Sequence, residues 1–128
     1  MEKGKTFDLE NRLVAFAVNV STLIEALPST LSVRNLTGQL IRSGTAPALN
    51  YGEAKSAESS NDFIHKMKIA LKELRESLIA LKILSQMNIP QQDNILDNCL
   101  VECNELVSIF VKSIQTAERN RKINKALH

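Results

Sequence analysis

The chain has 128 residues, 44% of them hydrophobic and 23% charged, with a formal net charge of +2. That length favours one domain able to bury a modest core, and that charge is too small to mark a nucleic-acid protein by itself. With no Trp, one Tyr and four Phe the core must be aliphatic, and three Pro and four Gly suit a few long elements rather than many short ones.

Four helical segments follow in chain order, at about 8–27, 32–57, 61–88 and 92–121. Asp8 is a good N-cap for the first. Leu9, Leu13, Phe16, Ala17, Val20, Ile24 and Leu27 then recur by threes and fours, and Pro28 stops the run.

The second segment contains RSGTAPALNYGEA, Arg42 to Ala54, with two glycines, a proline, an asparagine and a glutamate inside a helical rhythm. On a helical wheel one face collects Leu36, Gln39, Leu40, Ser43, Ala46, Pro47, Asn50, Ala54 and Ala57, with Glu53 at its edge. Such a small face lets a neighbouring helix approach closely. It predicts that Ser43 and Asn50 are buried and must find partners. Pro47 removes the backbone bond to the Ser43 carbonyl and presses against it, and Gly44 in the same turn gives the backbone room. A continuous but kinked helix is favoured over a loop from Ser43 to Pro47. Packing must then offset an intrinsic cost of about 3 kcal/mol.

Before the third segment lies KSAESSND, where Ser59 or Ser60 can cap and Asp62 sits in the first turn. Ile64, Met67, Leu71, Leu74, Leu78 and Leu81 form its stripe, over a helix about 40 Å long, and Asn88 and Pro90 end it. Ile69, Ile79 and Ile83 lie on the opposite side with Glu76 among them, while Val14, Val18 and Val101 fall off the stripes of their own helices. A lone bundle needs one apolar face per helix. The extra positions therefore read as a subunit interface, against the plainer alternative of scattered surface aliphatics.

The fourth segment carries Leu96, Cys99, Leu100, Cys103, Val107, Phe110, Ile114 and Ala117 and should fade near Arg121. Cys99 and Cys103 stand one helical turn apart, a poor geometry for a disulfide, and no His is near them in sequence. They read as small core residues in a reducing compartment rather than as zinc ligands. Towards the end, Lys112, Arg119, Arg121, Lys122 and Lys125 stand against Glu118 alone. Two readings stay open: cations suited to the negative pole of a helix, or a phosphate-binding patch.

No strand pattern competes, and short connections between long helices imply an all-α, up-down-up-down antiparallel four-helix bundle, one domain over 1–128. The opening MEKGKTFDLENR has no apolar stretch after its charges, and no run reaches the ~18 apolar residues of a membrane span. Neither signal peptide nor membrane segment is expected, and a cytoplasmic location is the default.

QLIRSGTAPALNYGEA followed by DFIHKMKIALKELRESLIALKIL resembles a four-helix-bundle family first noticed as proteins encoded in intervening sequences of bacterial 23S rRNA genes and often labelled ribosomal proteins. The family pattern is an Arg-Ser pair, then Asn, then Ala-Glu-Gly, a short polar loop, Phe-Ile, and a long helix with an internal Glu. Arg42, Ser43, Asn50, Glu53, Phe63, Ile64 and Glu76 stand at those positions. The likeness is close from about Leu36 to Leu84 and loose elsewhere. Ala54 replaces the family's Gly, and Lys72 and Glu73 replace small residues early in the third helix. The resemblance implies a homo-oligomer, with pentameric rings known in the family. A relative, the accessory protein of diversity-generating retroelements, forms a basic pentameric barrel that works with a reverse transcriptase and binds nucleic acid. The resemblance supplies no catalytic residue.

Chemistry is sparse. Glu53 and Glu76 could form a carboxylate pair if facing helices brought them together, but an aliphatic bundle of this size has little room for a pocket. Di-iron bundles use Glu-x-x-His twice, whereas Asp62-Phe63-Ile64-His65 has that spacing once. Arg42, Ser43, Asn50, Glu53 and Glu76 read instead as a structural polar network, across the bundle or between subunits. The expectation is therefore a non-enzymatic protein without metal or cofactor. It assembles as a homo-oligomer, with a pentamer favoured, and binds RNA or DNA through basic helix ends. The alternative is a scaffold that recruits a protein partner through an apolar helix face.

Overall fold

The computed structural model describes residues 8–89 and 94–127. Four helices account for nearly all of them: α1 (Leu9–Glu25), α2 (Leu31–Lys55), α3 (Ser60–Gln86) and α4 (Ile95–Leu127). Three begin where a side chain takes up an orphan backbone N–H. Asp8 accepts from the Asn11 amide at 3.0 Å, Thr30 from Val33 at 3.4 Å, and Ser59 from Asp62 at 3.0 Å. The expected start of α4 at Gln92 or Asp93 lies outside the described residues. Its first turn is seen in the bond from the Asn98 amide to the Asn94 carbonyl.

The helix ends differ from the sequence expectation: α1, α2 and α3 each stop two residues earlier, and α4 runs on. The amides of Ala26 and Leu27 bond back three residues, so α1 tightens and closes at Glu25 before Pro28 is reached. At the other end of the chain, α4 does not fade near Arg121 but stays helical to Leu127. Its last turns read RKINKAL, without Gly or Pro, so nothing in them stops a helix.

Antiparallel register follows from the contacts between helices. Ser43 and Glu53 of α2 meet Ser77 and Lys66 of α3, so numbers fall on one helix as they rise on the other. The Leu74 carbonyl and Lys68 of α3 likewise meet Cys103 and Glu118 of α4. α3 packs along both α2 and α4, and α1 packs on α2 and more lightly on α4, whereas the backbones of α1 and α3 stay apart. They occupy diagonal corners of the bundle.

The core is aliphatic with two phenylalanines. Leu13, Phe16, Val20, Leu40, Met67, Leu74, Leu81, Leu84, Leu106 and Phe110 are all fully buried, each large side chain contributing roughly 1.5–3 kcal/mol. The Tyr51 ring meets Phe110 edge-on at 6.2 Å, tying α2 to α4 across the diagonal. Ile64, Met67, Leu74 and Leu81 of the expected α3 stripe are buried, but Leu71 and Leu78 are only half-buried. Ala70, Ser77 and Ala80 take the buried places, because the small side of α3 turns towards α2.

That choice explains α2. The helix runs unbroken through Pro47, which is fully buried, and the loop alternative is excluded. Ser43 faces α3, while Gly44 faces α1. A Cβ built on Gly44 would stand 3.1 Å from one methyl of Val20 and 3.3 Å from the other. Gly44 therefore makes room for α1, and not only for the proline turn as its position in the sequence suggested. Among the described residues no helix is long and apolar enough to cross a membrane.

Candidate functional site

The structure places the five expected network residues apart. Ser43 is buried, and its hydroxyl receives a 2.8 Å hydrogen bond from Ser77 while reaching the Leu40 carbonyl at 3.4 Å. Asn50 is half-buried, and Arg42, Glu53 and Glu76 are exposed. Glu53 accepts from Lys66 at 2.7 Å, which raises the Lys66 pKa above its ordinary value. A buried network across the bundle is thus not formed; a hydroxyl pair on two small helix faces replaces it. Sequence reasoning missed Ser77, whose signal was its place beside Ala70 and Ala80 on one edge of α3.

The catalytic alternative meets a simple distance. Glu53 lies opposite Lys66, ten residues and about 15 Å of helix from Glu76. His65 is exposed and Asp62 half-buried on the first turns of α3. Among the described residues no group of three or more His, Cys, Asp and Glu could hold a metal ion. Cys99 and Cys103 are buried free thiols. Cys103 donates to the Leu74 carbonyl at 3.3 Å. Burial pushes the thiols up, to about 11 for Cys99 and about 12 for Cys103, so neither is an activated nucleophile.

Charge is arranged in two blocks. Where α1 meets α4, Arg12 donates through Nε to Glu102 at 2.9 Å and through Nη2 to Glu105 at 3.0 Å, and the Glu102 bond above all holds its pKa above the ordinary guanidinium value. The second block is the end of α4. Lys112, Arg119, Lys122 and Lys125 are exposed there, and Arg121 donates to Asn61 at 2.9 Å. Glu118, the only acid between Lys112 and Lys125, is engaged by Lys68 at 2.9 Å. That hydrogen bond holds the Glu118 carboxyl below its usual range, with Arg121 and Lys122 adding to the effect. A notch of about 300 Å³ lies between this end and the start of α3, lined by Ser59, Ser60, Arg121 and Asn124.

The larger concavity is elsewhere. A groove of about 860 Å³ runs along the outer side of α3, between α2 and α4. Leu36, Leu71, Ile79, Ala80, Ile83 and Ile114 give it an apolar lining, and Lys68, Lys72, Arg75 and Glu76 stand at its edges. Of the three isoleucines set apart in the sequence, Ile79 and Ile83 are exposed in this groove and Ile69 is half-buried.

The sequence profile of the family described as 23S rRNA-intervening sequence protein matches residues 5–112. A crystal structure of a protein of unknown function from the S23 ribosomal protein family of Bacteroides thetaiotaomicron VPI-5482 is similar in fold, with a TM-score of 0.75 and 27% sequence identity. The likeness covers 84% of this chain and 98% of that one. Among curated proteins none matches significantly.

Proposed function

We propose that this chain, which belongs to the family of 23S rRNA-intervening sequence proteins, is a non-enzymatic, homo-oligomeric adaptor that binds nucleic acid, RNA first, through the end of α4. The observation that carries this reading is that α4 stays helical to Leu127 while Glu118, the one acid from Lys112 onward, is taken by Lys68. Arg119, Lys122 and Lys125, three residues apart, therefore stand about 4.5 Å apart along a formed helix instead of fraying. A ring of copies, with five favoured, would repeat that cationic end around its axis and raise the local charge well above the +2 of one chain.

Fluorescence anisotropy of a structured RNA and of a DNA duplex, titrated with protein at low and at physiological salt, tests the reading. Four cations on phosphates give a log–log salt slope of about −3 to −4 per chain. Binding that persists at physiological salt with such a slope supports the adaptor; no binding at either salt overturns it. The second reading, a scaffold that recruits a protein partner without nucleic acid, is favoured by the apolar groove along α3. Apolar docking there would change little with salt.

A further inference from the structure

We propose that the α3 groove is filled by the outer face of α1 from a second copy of this chain, so that copies associate head to tail. This rests on the homo-oligomer part of the functional reading and not on its nucleic-acid part. The groove presents Ile79 and Ile83, one turn apart and 56% and 45% exposed. Elsewhere on the same chain α1 presents Val14 and Val18, also one turn apart and 47% and 57% exposed. Two apolar pairs with the same spacing can interdigitate as ridge and groove.

The charges beside the two pairs are opposite. Lys72, Arg75 and Lys82 surround the isoleucines and have no ion-pair partner among the described residues. Glu76 is the one acid in the groove lining, against Lys68, Lys72 and Arg75. On α1 the valines lie between Glu10 and Glu25, and the helix's one cation, Arg12, is turned to Glu102 and Glu105 of α4. The exposed face of α1 therefore carries acids only, with Glu10 also touched by Lys55. If α1 docks antiparallel, with Val18 on Ile79, Glu25 falls opposite Lys72. If it docks parallel, with Val14 on Ile79, Glu10 falls opposite Arg75. Either direction sets an acid against a cation, whereas groove on groove would gather cations.

Placement in the bundle sets the mode of association. α1 and α3 sit on diagonal corners, so their outer faces point away from each other. Pairing two unlike faces on opposite sides leaves a free face of each kind at every step. That is a heterologous contact, which propagates to a ring or a filament, rather than a closed two-fold dimer.

Two double variants test this. Ile79→Glu with Ile83→Glu blocks the groove, and Val14→Glu with Val18→Glu blocks the α1 face. All four positions are exposed, so both variants should keep the wild-type helical circular dichroism. Sedimentation velocity is then run on wild type, on each variant, and on an equimolar mixture with one partner mass-tagged. The expected result is an assembled wild type, two monomeric variants, and a 1:1 heterodimer in the mixture, because one intact groove meets one intact α1 face. An assembled wild type with no heterodimer, or a variant that still assembles by itself, overturns the pairing while leaving homo-oligomerisation standing. A monomeric wild type overturns both.

Discussion

Removing either hydroxyl of the Ser43–Ser77 pair separates two costs that a buried hydrogen bond combines. Ser77 is completely buried and donates to Ser43, whose own hydroxyl also reaches the Leu40 carbonyl. Ser77→Ala deletes one donor and leaves Ser43 with a partner, which should cost about 1 kcal/mol. Ser43→Ala leaves the Ser77 hydroxyl buried without its acceptor, and the desolvation penalty for such a group is about 1–3 kcal/mol. With both changed, two small apolar faces meet and no polar group is stranded, so the double variant should lose less than the sum of the singles. The coupling should be 0.5 kcal/mol or more, within the range of about 0.5–3 kcal/mol for contacting residues. Urea unfolding at 25 °C followed by circular dichroism measures all four proteins, and an unchanged m-value confirms that only stability moved. Strict additivity, or three variants within 0.3 kcal/mol of wild type, would refute the argument that this pair holds α2 to α3.

The glycines of α2 give a contrast within one helix. Gly38 has nothing near a built Cβ, so Gly38→Ala should stabilise by about 0.5–1 kcal/mol. Gly44→Ala gains the same propensity but drives a methyl against buried Val20, where overpacking costs about 1–3 kcal/mol. Its midpoint in urea should fall below that of Gly38→Ala. The thiols give a pH prediction. Folding raises both above the unfolded value of about 8.5, to about 11 and about 12. Their stability contribution is thus full below about pH 8.5 and is lost as the pH climbs towards those values. Iodoacetamide at pH 8 should leave both unreacted in native protein and label both in guanidinium, as mass spectrometry would show; rapid native labelling of Cys103 would contradict its burial.

How far the sequence could be read follows from which signals are local. Helix number, type and caps rest on spacing and on single residues such as Asp8 and Ser59, and those are where the sequence places them. The continuity of α2 through Pro47 was legible because the small residues around it demanded a close neighbour. The direction in which each small residue faces was not legible. Ser43 towards Ser77 and Gly44 towards Val20 are properties of helix packing, which a wheel for one helix does not contain. The polar network is not formed within the bundle for the same reason. Glu53 had a cation across the α2–α3 turn, Lys66, that satisfies it at the surface, so nothing drew it inside. An end of α4 near Arg121 falls six residues short, because the cations there suit a helix terminus while RKINKAL itself holds no helix breaker.

The most direct test of the central claim is the salt slope of RNA binding for wild type beside Arg119→Ala and Lys122→Ala, alone and together. Each lost phosphate contact should weaken binding uniformly across sequences and reduce the slope by about 1, so the double variant should lose about 2. Binding with an unchanged slope in all three variants, or no RNA binding by the wild type, would contradict the account.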